Sequence, residues 1–233
     1  MSIELANQLR AKHLPASVLS GERASTIKER SALLAECVSI ALPVISMGRA
    51  VGKVPASLQD KNWRGRALEV FLGGANNCRA KRDFDDGELK STRVVRKNDK
   101  WAIEQTLRIT TLSHSDFSHL NQIEKTPFYD KISCFNCVLF DSKKGDIEGG
   151  TIVGQFVFCV EDDPSFREEI AEDYRFYVDA SRTAHRISSK IKSPTGFLGC
   201  RQTAGIAGAI SKTSLYITPV KFNFLLGFYG INQ

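Results

Sequence analysis

Between Gly73 and Gly87 the hydrophobic period of this chain switches from helical to alternating. Before the switch, apolar residues recur at three- and four-residue spacing. They do so over 24–41 (ASTIKERSALLAECVSIA), with Ser25 or Thr26 placed to cap the helix. They do so again through LQDKNWRGRALEVFLGG, where Trp63, Ala67, Leu68 and Phe71 share a face and Gly73-Gly74 ends the pattern. After the switch, GELKSTRVVR and WAIEQTLRIT alternate apolar and polar positions across KNDK, which predicts an antiparallel pair. Both periods in one chain point to a mixed α/β class.

The remaining sequence extends this reading. Strands are predicted at about 134–140 and 151–160, with a loop at DSKKGDIEGG between them. A long helix follows over about 164–190, then a Gly- and Ala-rich loop (CRQTAGIAGA), a short strand at SLYIT and a last helix through VKFNFLLGF. The expected architecture is a mostly antiparallel central sheet flanked by helices, without internal repeats. The first 55 or so residues give amphipathic helices and carry no chemistry of their own.

At 233 residues and 42% apolar content the chain can bury a sizeable core. No apolar run approaches the roughly 18–20 residues that span a bilayer, and MSIELANQLRAKHLP has no secretory pattern, so a soluble intracellular protein is expected. The net charge of +6 favours polyanionic partners. Cys134 and Cys137 form a lone C-x-x-C inside the apolar run ISCFNCVLF. With no second pair to complete a zinc site, they are expected to pack in the core. The four histidines are scattered without metal-ligand spacing.

Chemistry concentrates at KRDFDDGELKS, residues 81–91. Glu88 and Lys90 are two apart on a predicted strand and share a face, while Leu89 points into the core. Asp83, just before the strand, is close enough to fold back beside Glu88. Two carboxylates and an ammonium on one solvent-facing side suit Mg²⁺, a hard cation that takes oxygen ligands, and phosphodiester hydrolysis. Asp85 and Asp86 read as turn residues. Glu69, on the preceding helix, is a candidate third carboxylate.

With Glu69 included, the chain resembles the MutH family of mismatch-repair nicking endonucleases and its restriction-enzyme relatives that cut at GATC, within the PD-(D/E)XK nuclease superfamily. The segments that carry the resemblance are DKNWRGRALEVFLGGANNC, RDFDDGELKS, YDKISCFNCVLFD, GFLGCRQTAGIAG and SLYITPVKFNFLL, in the family's order over about residues 60–227. The resemblance implies a restriction-endonuclease-like mixed sheet flanked by helices, with two lobes forming a DNA cleft. Residues 1–130 would form the catalytic lobe, and 131–233 would complete the sheet and carry the DNA-recognition lobe. It implies a catalytic set of Glu69, Asp83, Glu88, Lys90 and Lys131, with Asp83, Glu88 and Glu69 holding Mg²⁺ and Mn²⁺ able to substitute. Lys61, Arg201, Gly205 and Tyr216 would contact double-stranded DNA, Arg201 from a base-reading loop that Gly205 and Gly208 let approach closely. A bacterial cytoplasmic, nucleoid-associated enzyme is implied, a monomer or a transient dimer on DNA.

The chain also departs from the pattern. MutH proteins usually place six residues between the aspartate and the glutamate, and this chain has four. Asn62 stands where a glycine is usual, and the segment from Arg201 to Tyr216 is short. These departures favour a type II restriction enzyme-like protein over a nickase activated by a MutL-type partner on hemimethylated DNA. A non-catalytic DNA-binding module on the nuclease fold, and a basic protein of unrelated fold, stay open.

Overall fold

A computed structural model of the chain describes residues 3–55, 62–74, 82–103, 105–113, 117, 122–141, 149–183, 187, 191–204 and 210–232. Its helices are α1 (Ile3–His13), α2 (Ala16–Leu19), α3 (Ile27–Ser39), α4 (Val44–Ala50), α5 (Trp63–Phe71), α6 (Pro127–Ile132), α7 (Pro164–Thr183) and α8 (Pro219–Phe228). Its strands are β1 (Glu88–Lys97), β2 (Lys100–Ile103), β3 (Leu107–Ser113), β4 (Cys134–Asp141), β5 (Thr151–Cys159), β6 (Leu198–Ala204) and β7 (Ile210–Ile217). The class is mixed α/β. Two compact units divide it: residues 1–102 with 135–157, and residues 103–134 with 158–231.

In the first unit, helices α1–α5 bury one continuous apolar cluster that takes in Leu89 of β1, Val138 and Phe140 of β4, and Ile152 of β5. Thr26 caps α3 by a reciprocal box: its hydroxyl accepts the Glu29 N–H, and its own N–H donates to the Glu29 carboxylate. Helices α4 and α5 cross at Gly48, where a Cβ would press on Val54, Ala67 and the Trp63 ring. Helix α5 ends where predicted, with Gly73 at φ +78° just beyond its C-cap.

Two strand expectations need correction. WAIEQTLRIT is not one strand. Lys100–Ile103 closes a hairpin with β1, and its two turn residues, Asn98 and Asp99, both take positive φ. Leu107–Ser113 pairs instead with β7 in a separate sheet. Nor do the described residues form one mostly antiparallel central sheet. A four-stranded sheet has the order β2-β1-β4-β5 and carries a parallel β1–β4 pair at its centre, and a three-stranded antiparallel sheet has the order β3-β7-β6. Parallel neighbours require a crossover. Here the chain from β2 to β4 supplies it, passing through β3 and α6 on the way.

In the second unit, α7 buries Tyr174, Tyr177 and Val178; Tyr174 stacks on Phe128 of α6, and the Tyr177 hydroxyl donates to the Leu198 carbonyl of β6 at 3.4 Å. Its description ends at Thr183, short of the predicted 190; residues 184–186 and 188–190 lie outside the described residues. Buried in the middle of α7 is Asp173, a charged residue among apolar neighbours. Its carboxylate accepts the Thr195 N–H at 2.9 Å and the Leu198 N–H at 2.8 Å, with the Ser193 hydroxyl 2.8 Å away. Asp173 thereby fixes the path of the chain into β6. Asp173→Ala takes the carboxylate from the Thr195 and Leu198 N–H groups, while the Ser193 hydroxyl keeps the Leu198 carbonyl, and should cost about 3 kcal/mol. Asp173→Asn keeps an acceptor and should recover part of it. Denaturant midpoints of the two variants at unchanged slope check this.

Candidate metal and phosphodiester centre

The stretch DFDDG is a tight reversal at the entry to β1. Phe84 and Gly87 form an antiparallel bridge, with the Phe84 N–H donating to the Gly87 carbonyl at 3.1 Å, so Asp85 and Asp86 are the turn's two central residues. The next pair outward is Asp83 and Glu88. Side chains alternate along extended chain. Phe84 and Leu89 therefore enter the core, both being buried, while Asp83, Glu88 and Lys90 share the other face. The four-residue spacer brings the two carboxylates together because the chain doubles back within it.

Backbone and side-chain hydrogen bonds lock the pair. The Asp83 N–H donates to Glu88 Oε2 at 3.2 Å, and the Leu89 N–H donates to Asp83 Oδ2 at 3.0 Å. Lys90 Nζ donates to Glu88 Oε1 at 2.5 Å. The face is not as open as expected. Glu88 is 2% exposed and the Lys90 side chain 15%, so the ammonium supplies charge compensation to a nearly buried carboxylate.

Glu69 reaches this region through Gly74. A Cβ on Gly74 would lie 2.8 Å from Glu69 Cγ and 3.1 Å from the edge of the Phe84 ring, so both side chains converge on the bare glycine. Among the described residues, no three His, Cys, Asp or Glu side chains gather as a metal-ligand set, and Glu69 is not joined to the pair in that way. The donors that do come together are the oxygens of Asp83 and Glu88. That set fits Mg²⁺, which is commonly held by one or two carboxylates and keeps its other positions for water and substrate phosphate.

Beneath Lys90, its β4 partner in the parallel register is Cys137. Its thiol is fully buried and pushed well up by desolvation, the neighbouring Lys90 charge offsetting part of the shift. Such a thiol is a packing group. Cys134 and Cys137 are both free cysteines; Cys137 has the core position expected, whereas Cys134 at the start of β4 is only partly buried.

The remaining candidates distribute as follows. Lys131, half-buried in the last turn of α6, belongs to the second unit, whereas Glu69, Asp83, Glu88 and Lys90 belong to the first. Lys61, Gly205 and Gly208 lie outside the described residues. Arg201 is on strand β6 rather than on a loop, because Leu198–Thr203 pairs with β7 in continuous register, which shifts only between Thr203 and Ala204. It is exposed and sits opposite Ser214. Tyr216 stands in the middle strand between Gly199 and Arg108. Its ring lies directly over Gly199, where any Cβ would collide with it. Burial raises its phenol above the usual value, and the charge of Arg201 pulls the other way.

These positions belong to one outward face of the β3-β7-β6 sheet. Its cross-strand rows are Arg108–Tyr216–Gly199, Thr111–Ser214–Arg201 and Ser113–Lys212–Thr203. The Thr111 and Ser214 hydroxyls are hydrogen-bonded at 2.8 Å. Arg108, Arg201 and Lys212 are exposed, and no carboxylate occupies these rows. Arg108 and Lys212 escaped the sequence reading because the signal lay in the pairing of strands far apart in the chain.

No protein-family model matches the chain, and no curated protein matches it by sequence. Among the described residues, no helix is long and apolar enough to cross a membrane.

Proposed function

We propose that this protein is a Mg²⁺-dependent DNA endonuclease that hydrolyses phosphodiester bonds at the Asp83–Glu88–Lys90 centre. The supporting observation is the reversal at Asp85-Asp86, across which the Asp83 N–H bonds the Glu88 carboxylate and the Leu89 N–H bonds the Asp83 carboxylate, with the Lys90 ammonium on Glu88. Asp83 and Glu88 would hold the cation, which when bound stabilises charge developing on the phosphate. Lys90 orients the attacking water and offsets charge at the phosphoryl oxygens. Water adds to phosphorus as the bond to the 3′ oxygen breaks, leaving a 5′-phosphate and a 3′-hydroxyl. A restriction-endonuclease-like fold is part of this reading.

The carboxylate-free sheet face supports DNA as the substrate. Arginine and lysine neutralise backbone phosphates, hydroxyls add neutral hydrogen bonds, and an aromatic ring offers a stacking surface. Within the class we favour a restriction-type enzyme cutting GATC-type sites over a MutL-dependent nickase, on the departures from the MutH pattern described above. Plasmid digestion by the purified protein with Mg²⁺ and with EDTA, followed by sequencing of the ends, tests the proposal. Linear product with a defined terminus in Mg²⁺ alone is expected. Slow nicking that a MutL-type partner accelerates would instead identify the repair enzyme, and intact plasmid with a retained gel shift would identify a binding module.

A further inference from the structure

The metal-type turn is gripped from behind by a guanidinium that the sequence places in an apolar helix stripe. Arg30 of α3 is 0% exposed. It spends its nitrogens on three different segments. Nη2 donates to Asp86 Oδ1 at 2.9 Å, Nε to Asn136 Oδ1 of β4 at 3.0 Å, and Nη1 to the Ser25 carbonyl at 2.6 Å. Its carbon centre lies 3.7 Å from the centroid of the Phe84 ring, so the guanidinium stacks on the residue next to Asp83. Asp86 completes the grip: its other oxygen, Oδ2, accepts the Ile27 N–H at 2.5 Å, in the first turn of α3.

Each anchor bears on the spacing of the two carboxylates. Phe84 and Asp86 lie inside the reversal that separates Asp83 from Glu88. Asn136 is the parallel-register partner of Leu89, the residue between Glu88 and Lys90. A helix, a turn and a neighbouring strand are thus tied through one planar group of fixed shape, which lysine cannot reproduce. A turn whose only function was reversal would not require a fully buried cation at its base.

We infer that Arg30 and Asp86 are positioning residues for the Asp83–Glu88 pair, holding the reversal at the width at which both carboxylates meet one divalent cation. This inference rests on the metal-dependent reading above. Residues that orient metal ligands without touching the metal typically change its affinity by about 10- to 100-fold when removed.

The test compares wild type with Arg30→Lys and Asp86→Asn. Mn²⁺ binding is measured without DNA by electron paramagnetic resonance of the free ion, and Mg²⁺ is titrated in plasmid cleavage at saturating and limiting DNA. For both variants the Mn²⁺ dissociation constant and the Mg²⁺ half-saturation should rise by about tenfold or more, with KM for DNA unchanged. A merely structural role would lower the melting temperature and the active fraction and leave the cation dependence where it was. Folded variants with wild-type Mn²⁺ affinity and Mg²⁺ half-saturation overturn the inference while the hydrolase stands. A wild type that neither binds Mn²⁺ nor cuts DNA removes the metal-dependent reading and this inference with it. Should either variant fail to fold, Phe84→Leu removes the stacking surface but keeps the buried apolar bulk, and the same shift is required of it.

Discussion

Glu88→Gln should leave a folded protein that binds DNA and does not cut it. Glutamine preserves the volume of the side chain and an acceptor for the Asp83 N–H, while removing the charge that a divalent cation requires. Lys90→Ala is expected to behave differently. It should lower the cleavage rate by roughly 10²- to 10⁴-fold, the span for removing a group that handles protons or phosphate charge. It should also destabilise the first unit, because a Glu88 side chain 2% exposed loses the Lys90 ammonium. Breaking a buried pair costs about 3 kcal/mol at the low end of its range, appropriate here because the Lys90 side chain keeps some exposure. Combining Glu88→Gln with Lys90→Met should restore stability without restoring cleavage. Plasmid digestion and denaturant melting of the three variants separate the two effects. Cutting by Glu88→Gln at the wild-type rate would mean that this centre is not where the chemistry happens.

Replacing Arg108, Arg201 and Lys212 together by glutamine should weaken DNA binding in a way that salt reveals. Each phosphate contact releases condensed counterions, so the slope of log affinity against log salt should flatten by roughly 1 per cation removed, or about 3 for the triple variant. All three side chains are exposed, so thermal stability should change little, within about 0.5 kcal/mol per site. The reading of this face as a DNA surface fails if the slope is unchanged. Loss restricted to one sequence, with the slope retained, would instead point to base contacts rather than phosphate contacts.

Local features of the fold were legible because they are written locally. The capping box at Thr26, the helical face of Trp63, Ala67, Leu68 and Phe71, and the switch to alternation at β1 each lie within one short window. What the sequence could not convey was partnership. WAIEQTLRIT alternates without a visible break, yet its two halves join different sheets, and alternation alone does not name a strand's neighbour. The same limit hid the parallel β1–β4 pair and the row that aligns Arg108 with Tyr216.

At the site, the share legible in advance divides in the same way. Asp83, Glu88 and Lys90 lie within eight residues and could be grouped by face before any coordinates. Asp86 read as a turn residue, and its second role needed Arg30, 56 positions away. A signal did exist for Arg30: it occupies an inward position of α3, in step with Leu33, Leu34 and Cys37, where a lone charge is costly. Such a charge asks for its partner, and only the fold supplies the answer.

The reversal at Asp85-Asp86 has a last consequence, for the arithmetic of the spacer. Residues directly opposed across a hairpin share a face whatever the length of the turn, so one residue inserted at Asp85-Asp86 would enlarge the turn and leave Asp83 opposite Glu88. Inserting two would lengthen the hairpin by one rung and keep both carboxylates on the same side. The pairing of Phe84 with Gly87, more than the length of the spacer, governs whether the two acids can meet.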